Sequence, residues 1–170
     1  MNLRTTQEAD MAQNILVALD GSEGAWRAVE YAAQAFGSAP EVKITLLHIL
    51  TGLPPAFWDD GHILKDKERE ARQRLVANWQ RDQEKRWEDL VARARGRLVA
   101  AGMSEAAVVS KFKTKYFDVA EDILNEAGAG ASQTIIMGRR GLGKAKTLLL
   151  GSVTSKVVQN AKGIAVTIVG

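Results

Sequence analysis

A regular alternation of short apolar runs with longer amphipathic segments is the feature that most constrains how this chain can fold. Residues 14–19 (NILVAL) are almost all apolar and rich in branched side chains, and the turn-forming residues DGS at 20–22 end the run. This pattern is typical of a strand that is buried on both faces. In the next segment Ser22 is a good N-cap, and apolar residues recur at helical spacing as far as Phe36, before Gly37. The chain therefore begins with a strand and a helix.

Segments of the same two kinds continue to the end of the chain. Strands that alternate with helices form parallel sheets covered by helices on both faces, so the sequence predicts an α/β fold with an open, Rossmann-like, five-stranded parallel sheet. In such sheets ligands bind beyond the carboxyl ends of the strands, where the strand order reverses. The further strands are predicted at residues 42–50, 106–112, 134–137 and 164–169, and the further helices at residues 64–102, 117–129 and 152–160.

The longest helical pattern also holds the excess of positive charge. Residues 65–97 contain 11 basic and 7 acidic residues, interleaved at helical spacings. A solvated helix face explains this better than a nucleic-acid surface, which would need a less neutralised stripe, so we predict no nucleic-acid partner. Gln83 and Arg86 interrupt the apolar stripe, and the sequence therefore allows a bend or break within residues 79–87. The predicted stripe consists of Leu64, Ala71, Leu75, Trp79, Leu90, Ala94, Leu98 and Ala101.

Composition excludes several other classes of protein. The 170 residues are most simply one domain, with ordinary globular proportions of 46% apolar and 25% charged residues. The absence of cysteine excludes disulfides, thiolate metal sites and cysteine nucleophiles, and it fits a reducing compartment. No apolar run reaches the roughly 20 residues of a membrane span, and the polar start lacks the features of a signal peptide. We expect a cytoplasmic protein with no membrane partner, a flexible lead-in at residues 1–13 and one domain at residues 14–170.

The stretch that follows the fourth predicted strand, GRRGLGKAKTLLLGS at residues 138–152, is close to a phosphate-binding loop of the Walker A type. Gly138, Gly143 and Lys144 fit the Walker spacing, but Ala145 occupies the position of the hydroxyl that holds magnesium. A true loop of this type normally follows the first strand and is closed by its helix at once. We therefore interpret the Walker match as accidental.

A phosphate cradle of a different design accounts for more of these residues. Gly138 and Gly141 allow the backbone to turn tightly and to present its N–H groups to an anion. Gly151 and Ser152 open a helix, whose N-terminus carries a partial positive charge and free N–H donors. We call Gly138, Gly141, Gly151 and Ser152 the glycine motif.

Four cations lie between the two ends of the glycine motif, and they could offset several phosphate charges. On physical grounds alone, a flexible basic loop with Ser152 as an ordinary N-cap explains the stretch about as well, so both interpretations stay open. The four cations are Arg139, Arg140, Lys144 and Lys146.

The spacing of the glycine motif resembles that of a known family. Gly138-x2-Gly141-x9-Gly151-Ser152 matches the G-x2-G-x9-G-[ST] nucleotide motif of the universal stress protein family. Residues 15–32 (ILVALDGSEGAWRAVEYA) are similar to the opening strand, aspartate and helix of that family, and residues 46–50 (LLHIL) to its second strand. The resemblance covers nearly all of residues 14–170 and is weakest at residues 53–103.

This resemblance implies a strand order of 3-2-1-4-5, a homodimer formed through the C-terminal strand, and a role as a stress-response nucleotide-binding module. It also implies that ATP lies between the first and fourth strands. Asp20 would then lie on the adenosine side, and the backbone of Ile49 would meet the adenine edge. The glycine motif would hold the phosphates together with Arg139 and Arg140, and a divalent Mg or Mn ion would bridge phosphate oxygens.

Two departures from the family pattern are visible. The family usually has Gly and often Pro just before the third helix, where this chain has Phe117 and Val119. This change could alter what packs beside the site. The last strand normally follows a proline-containing segment, but here it follows residues 162–164 (KGI), which could alter the dimer contact.

The remaining chemically active side chains are better explained as structural residues. His48 lies on an apolar strand, where a hydrogen-bonded core histidine is more common than a catalytic one. His62 neighbours Asp59 and Asp60 without the spacing of metal ligands, so we predict no metal site made by the protein alone. The four tryptophans are interpreted as core or helix-packing residues rather than base-stacking platforms.

Three functions remain open at the level of sequence. No nucleophile–base pair or group that would position an attacking oxygen converges on the glycine motif, so we predict no catalytic residue and at most weak ATP hydrolysis. The favoured function is an ATP-binding regulatory module. The alternatives are a nucleotide-free dimeric scaffold, which requires Phe117 or the basic loop to fill the pocket, and a slow ATP hydrolase.

Overall fold

The computed structural model describes residues 13–52, 65–141 and 150–170. Nine helices and strands follow one another along these residues, in the alternating order that the sequence predicts. In chain order they are β1 (Gln13–Ala18), α1 (Glu23–Phe36), β2 (Val42–Leu50), α2 (Asp66–Ala100), β3 (Val108–Thr114), α3 (Val119–Ala129), β4 (Thr134–Gly138), α4 (Ser152–Asn160) and β5 (Ala165–Val169).

The five strands form one parallel sheet in the order β3-β2-β1-β4-β5. The predicted α/β fold and its strand order are therefore confirmed. Strand β1 lies in the centre, where Val17 is opposite Leu46 of β2 on one side and Ile136 of β4 on the other. The strand order reverses between β1 and β4, so their carboxyl ends diverge and leave a crevice at that edge of the sheet.

The core consists of two layers, one on each face of the sheet. Side chains such as Ile15, Val17 and Leu46 pack with α1 and the last part of α2, whereas Leu16 and Ile135 on the other face pack with α3 and α4. Neighbouring residues of the central strands point to opposite layers and are buried in both. This explains why their sequences are apolar without a break.

Helix α2 is 35 residues long, and only Ala94 and Leu98 are fully buried. The predicted apolar stripe therefore faces the core only near its C-terminal end, while Leu75 is 56% exposed and Ala71 is exposed as well. The helix is also unbroken, so the break that Gln83 allowed does not occur. The interleaved charges of the first half lie on a largely exposed helix surface, as predicted.

The structure corrects two predicted boundaries and one N-cap assignment. A short 3-10 turn at Glu105–Ala107 replaces the start of the third predicted strand. Helix α3 begins at Val119 rather than at Phe117, because the Asp118 carboxylate accepts hydrogen bonds from the N–H groups of the first turn. Helix α4 has Gly151 as its N-cap, so the interpretation of Ser152 as an ordinary N-cap is wrong.

Several sequence-based predictions concern other parts of the chain. Most of the lead-in (residues 1–12), the segment that contains His62 and Trp58, and the lysines Lys144 and Lys146 lie outside the described residues. Gln13, the last residue of the predicted lead-in, is instead the first residue of β1. Among the described residues, no helix is long and apolar enough to cross a membrane.

Candidate functional site

A cavity of about 390 Å³ lies at the carboxyl edge of the sheet. It opens where β1 and β4 separate, and the N-terminal ends of three helices, α1, α3 and α4, surround it. This volume lies in the range of small-molecule sites. Its walls are formed by Ala18, Leu19, Asp20, Ser22, Ala25, Leu47, His48, Ile49, Val119, Ile123, Met137, Gly138, Arg140, Gly141, Gly151, Ser152, Val153 and Thr154.

The predicted site residues meet at this cavity with one exception. Asp20 and Ile49 line it from the ends of β1 and β2, and all four residues of the glycine motif line it from the opposite side. Arg140 also contributes to the wall, but the exposed Arg139 does not. Of the two predicted arginines, the structure therefore brings only Arg140 to the cavity.

The carboxylate of Asp20 lies against the glycine motif. Its Oδ1 accepts a hydrogen bond from the backbone N–H of Ser22 at 2.9 Å, which orients the side chain at the end of β1. A Cβ atom on Gly141 would be only 2.4 Å from Asp20 Oδ2. The chain can pass so close to this carboxylate because residue 141 has no side chain.

A second close approach joins α1 to the end of β4. A Cβ on Gly24, in the first turn of α1, would be 2.3 Å from the carbonyl oxygen of Arg140, and a Cβ on Gly138 would be 2.4 Å from the carbonyl carbon of Gly24. Two facing glycines therefore let the helix pack directly on the loop backbone. Sequence reasoning missed Gly24, although a glycine in the first turn of a predicted helix was the available signal.

The start of α4 is tied to the end of β4 by two hydrogen bonds. The N–H of Gly151 donates to the carbonyl oxygen of Arg139 at 2.9 Å. The buried hydroxyl of Thr154 donates to the carbonyl oxygen of Gly138 at 3.0 Å. Sequence reasoning also missed Thr154, because its hydrogen-bond partner lies 16 residues earlier in the chain, at the end of β4. The two contacts fix the distance between both halves of the glycine motif.

The electrostatic character of the cavity changes from one end to the other. At the glycine motif, the N-terminus of α4 and Arg140 supply positive potential and N–H donors, which favour an anion. At the other end, Leu47, Ile49 and Ile123 form an apolar wall. The cavity can therefore accept a ligand with an anionic end and a flat or apolar end.

The apolar end is supported by a cluster of three aromatic rings. The ring of His48 has its centroid 5.4 Å from that of Trp87 and 5.5 Å from that of Phe112, and the rings of Trp87 and Phe112 are 5.9 Å apart. His48 Nδ1 is also 2.7 Å from the carbonyl oxygen of Leu19, within hydrogen-bond distance. The predicted hydrogen bond of His48 is confirmed, although this residue also lines the cavity. Trp87 packs against the core as predicted.

The wall that α3 contributes is held to α4 by an ion pair. Asp118 Oδ2 accepts a hydrogen bond from Lys156 Nζ at 2.8 Å, while its Oδ1 caps α3. The Lys156 ammonium and the N–H of Glu121 hold the pKa of Asp118 below its ordinary value. Phe117 does not belong to the cavity wall, so this side chain does not fill the pocket.

The residues present fit a metal ion only if a ligand supplies most of its coordination. Among the described residues, no three or more histidine or acidic side chains come together as a metal site. Asp20 is the one carboxylate that the described residues contribute to the cavity wall. Mg²⁺ is commonly held by one or two carboxylates together with phosphate oxygens, and this arrangement fits that pattern.

The comparison with protein families gives one match, which covers most of the chain. Residues 11–169 match the sequence model of the universal stress protein family. No curated protein matches the chain at a significant level.

Solved structures with the same fold cover nearly the whole chain. The hypothetical protein MJ0577 is 22% identical with a TM-score of 0.70, and the match covers 94% of this chain and 96% of that protein. A universal stress protein in complex with cAMP is 22% identical, with a TM-score of 0.61 and coverages of 93% and 97%. A universal stress protein from Archaeoglobus fulgidus in complex with dAMP is 19% identical, with a TM-score of 0.58 and coverages of 93% and 98%. At this level of identity the likeness shows the fold alone.

Proposed function

Because this chain belongs to the universal stress protein family, we propose that it is an ATP-binding regulatory protein, with the nucleotide in the cavity between β1 and β4. The observation that carries the proposal is the glycine motif, whose four residues all line one cavity, opposite Asp20. A simple basic loop would have no reason to enclose such a cavity, or to need glycine where its chain touches a carboxylate.

The polarity of the cavity favours one orientation of the nucleotide. The phosphates would lie at the N-terminus of α4, where Gly151 and Ser152 offer backbone N–H groups and a hydroxyl. Arg140 would offset part of their charge. The base would lie at the apolar end beside the backbone of Ile49, and Asp20 would accept hydrogen bonds from the ribose hydroxyls between the two ends.

Mg or Mn would bridge phosphate oxygens near Asp20. The metal would neutralise the negative charge that phosphates bring close to this carboxylate. The related structures that contain cAMP and dAMP support an adenine nucleotide as the ligand class. The choice of ATP rests on the match between the glycine motif and the G-x2-G-x9-G-[ST] motif of the ATP-binding branch of the family.

We propose a homodimer formed through β5 as the regulatory unit. Strand β5 is the edge strand beside the site, and its neighbour β4 leads directly into the glycine motif. A shift of the glycine motif on nucleotide binding could therefore reach the dimer contact at β5 through β4 alone. The cytoplasm is the expected compartment of this module.

Isothermal titration with Mg²⁺ and ATP tests the proposal directly. We expect saturable binding of one ATP per chain, a weaker response without the metal, and a melting temperature that rises with ATP concentration, because a ligand of the native state stabilises it. A lack of both heat and thermal stabilisation at millimolar ATP would contradict the proposal.

The two alternatives make different predictions. A nucleotide-free scaffold requires Phe117 or the basic loop to fill the pocket. Phe117 does not line the cavity, and residues 142–149 of the loop lie outside the described residues. An ATP-consuming enzyme would release phosphate over many turnovers. We propose binding rather than turnover, so we expect a phosphate-release assay to give at most a slow rate.

A further inference from the structure

Two aromatic side chains are exposed in the connection between β3 and α3. Tyr116 is 82% exposed and Phe117 is 56% exposed. Their rings pack edge to face, with centroids 4.5 Å apart. Exposed apolar groups that touch each other can mark a binding site. A ligand that covers them removes apolar surface from water, which favours binding.

The backbone that carries this pair is held in place by its neighbours. One carboxylate, that of Asp122, accepts hydrogen bonds from the N–H of Tyr116 at 2.8 Å and from the N–H of Phe117 at 3.2 Å. The next residue, Asp118, caps α3 and pairs with Lys156. These hydrogen bonds fix the backbone of the aromatic pair at the surface.

In the chain, the pair is flanked on both sides by positions at the cavity wall, and we call this position the rim. Just before it, the N–H of Lys115 donates to the carbonyl oxygen of Leu50 at 2.9 Å, next to the cavity residue Ile49. Just after it, Val119 lines the cavity. Residues 116–117 thus span the short distance between two points of the apolar wall, at the end of the cavity opposite the glycine motif.

We propose that Phe117 is a specificity-determining residue that stacks on the base of the bound nucleotide, with Tyr116 as a positioning residue. A base between Ile49 and Val119 would extend to this rim. The Tyr116 ring packs edge to face with the Phe117 ring and would keep it in position. The inference deepens the proposed function and rests on it. A purine is preferred, since its two fused rings cover more of an aromatic face than a pyrimidine does.

The test compares Phe117→Ala with the wild-type chain by isothermal titration, using ATP, CTP and inorganic triphosphate as probes. Stacking of one base on an aromatic side chain is worth about 1–3 kcal/mol by alanine substitution, so ATP affinity should fall about 5- to 150-fold. CTP should bind the wild-type chain more weakly than ATP, and this preference should shrink in the variant. Inorganic triphosphate has no base, so its affinity should not change.

Matched variants separate stacking from a general effect of the substitution. Phe117→Trp should retain ATP affinity, and Tyr116→Ala should show a smaller loss than Phe117→Ala. Tyr31→Ala removes another exposed aromatic residue, two turns along α1 from the cavity, and should change nothing.

Two results would overturn the inference while leaving the proposed function intact. One is unchanged ATP affinity in Phe117→Ala, as expected if the pair serves a protein partner. The other is an equal loss for ATP and inorganic triphosphate. If the wild-type chain binds no nucleotide, the proposed function fails, and this inference fails with it.

Discussion

The glycines of the motif line the same cavity but have very different amounts of room beside them. A Cβ on Gly138 or Gly141 would meet another atom at 2.4 Å, whereas a Cβ on Gly151 would have its nearest neighbour, the Cα of Arg140, at 3.4 Å. Gly138 faces the backbone of Gly24 and is needed by the fold itself, whereas Gly141 faces the end of the Asp20 side chain. A Cβ on Gly151 would make only ordinary van der Waals contacts with the described residues, so their packing does not require glycine there.

Gly151→Val should therefore abolish ATP binding while the protein remains folded. The new side chain would project where phosphates must approach the N-terminus of α4. We expect no measurable heat with millimolar ATP, and a melting temperature close to that of the wild-type chain without ligand. Gly138→Ala provides the contrast, since overpacking against the Gly24 backbone should cost about 1–3 kcal/mol of stability. If Gly151→Val binds ATP normally, the phosphates do not lie at the start of α4.

Ser152→Ala tests the hydroxyl at the same helix end. Because Gly151 is the N-cap, the change removes no cap side chain, and the fold should be unaffected. Loss of one hydrogen bond to a charged phosphate costs roughly 1.5–3 kcal/mol, which weakens ATP binding about 10- to 150-fold.

AMP lacks the terminal phosphates, so Ser152→Ala should leave its affinity nearly unchanged. The decisive measurement is the ratio of ATP to AMP affinity in both proteins, with Ser152→Thr as the control that keeps the hydroxyl. The same ratio in wild type and Ser152→Ala would show that this hydroxyl does not contact the terminal phosphates.

At the scale of secondary-structure elements, a buried carboxylate joins α3 to the edge strand β3. Glu126 is 4% exposed and forms ion pairs with both Lys111 and Lys113. Burial alone would raise its pKa, but the hydrogen bonds from the two lysines outweigh burial and hold the pKa below the ordinary 4.5. The pair of lysines thus stabilises the ionised form, and this contribution is present above pH 4.5 and is lost as the pH falls through the lowered pKa.

The double variant Lys111→Met/Lys113→Met should reverse the shift. Burial would then act alone and raise the pKa of Glu126, leaving a buried charge without partners at neutral pH. We expect a loss of about 1–3 kcal/mol in the free energy of unfolding at pH 7, and a smaller loss at pH 4, where Glu126 takes up a proton. Urea unfolding at the two pH values measures both. Lys43→Met, an exposed lysine on β2, is the control, and an equal loss at both pH values would contradict the assignment.

The sequence was sufficient for the elements whose environment is nearly uniform. The central strands are buried on both faces, so an unbroken apolar run identified them. The sequence was insufficient where one part of an element is buried and another part is exposed. Apolar periodicity does not show how far along a helix the contact with the sheet extends. The apolar stripe of α2 continues through Leu75, yet only its C-terminal end packs on the sheet.

The candidate site was predictable only for residues that belong to a local pattern. Asp20 ends a recognisable strand, and the glycine motif has fixed spacing. The contacts of Thr154 and Gly24 depend on which backbone lies opposite them after folding. The exclusion of Arg139 from the cavity likewise follows from the direction of the chain after β4, which the spacing of residues does not determine.

At the scale of the whole molecule, the edge of the sheet formed by β5 is the proposed contact between two copies of the chain. Among the described residues, β5 pairs with β4 alone. The N–H of Ala165 donates to Gln133, and the carbonyl of Val169 accepts from Arg139. Because backbone groups alternate along a strand, those of Ile168 face away from β4 and are free to pair with a second copy.

Ile168→Pro should therefore convert the proposed dimer to a monomer without unfolding it. Proline removes an N–H that points outward and is tolerated on edge strands, so the hydrogen bonds to β4 remain. Light scattering after size exclusion should give the mass of two chains for the wild type and of one for the variant, with similar circular dichroism. Ile168→Val keeps the N–H and should remain dimeric. A dimeric Ile168→Pro, or a monomeric wild type at high concentration, would show that β5 does not form the contact.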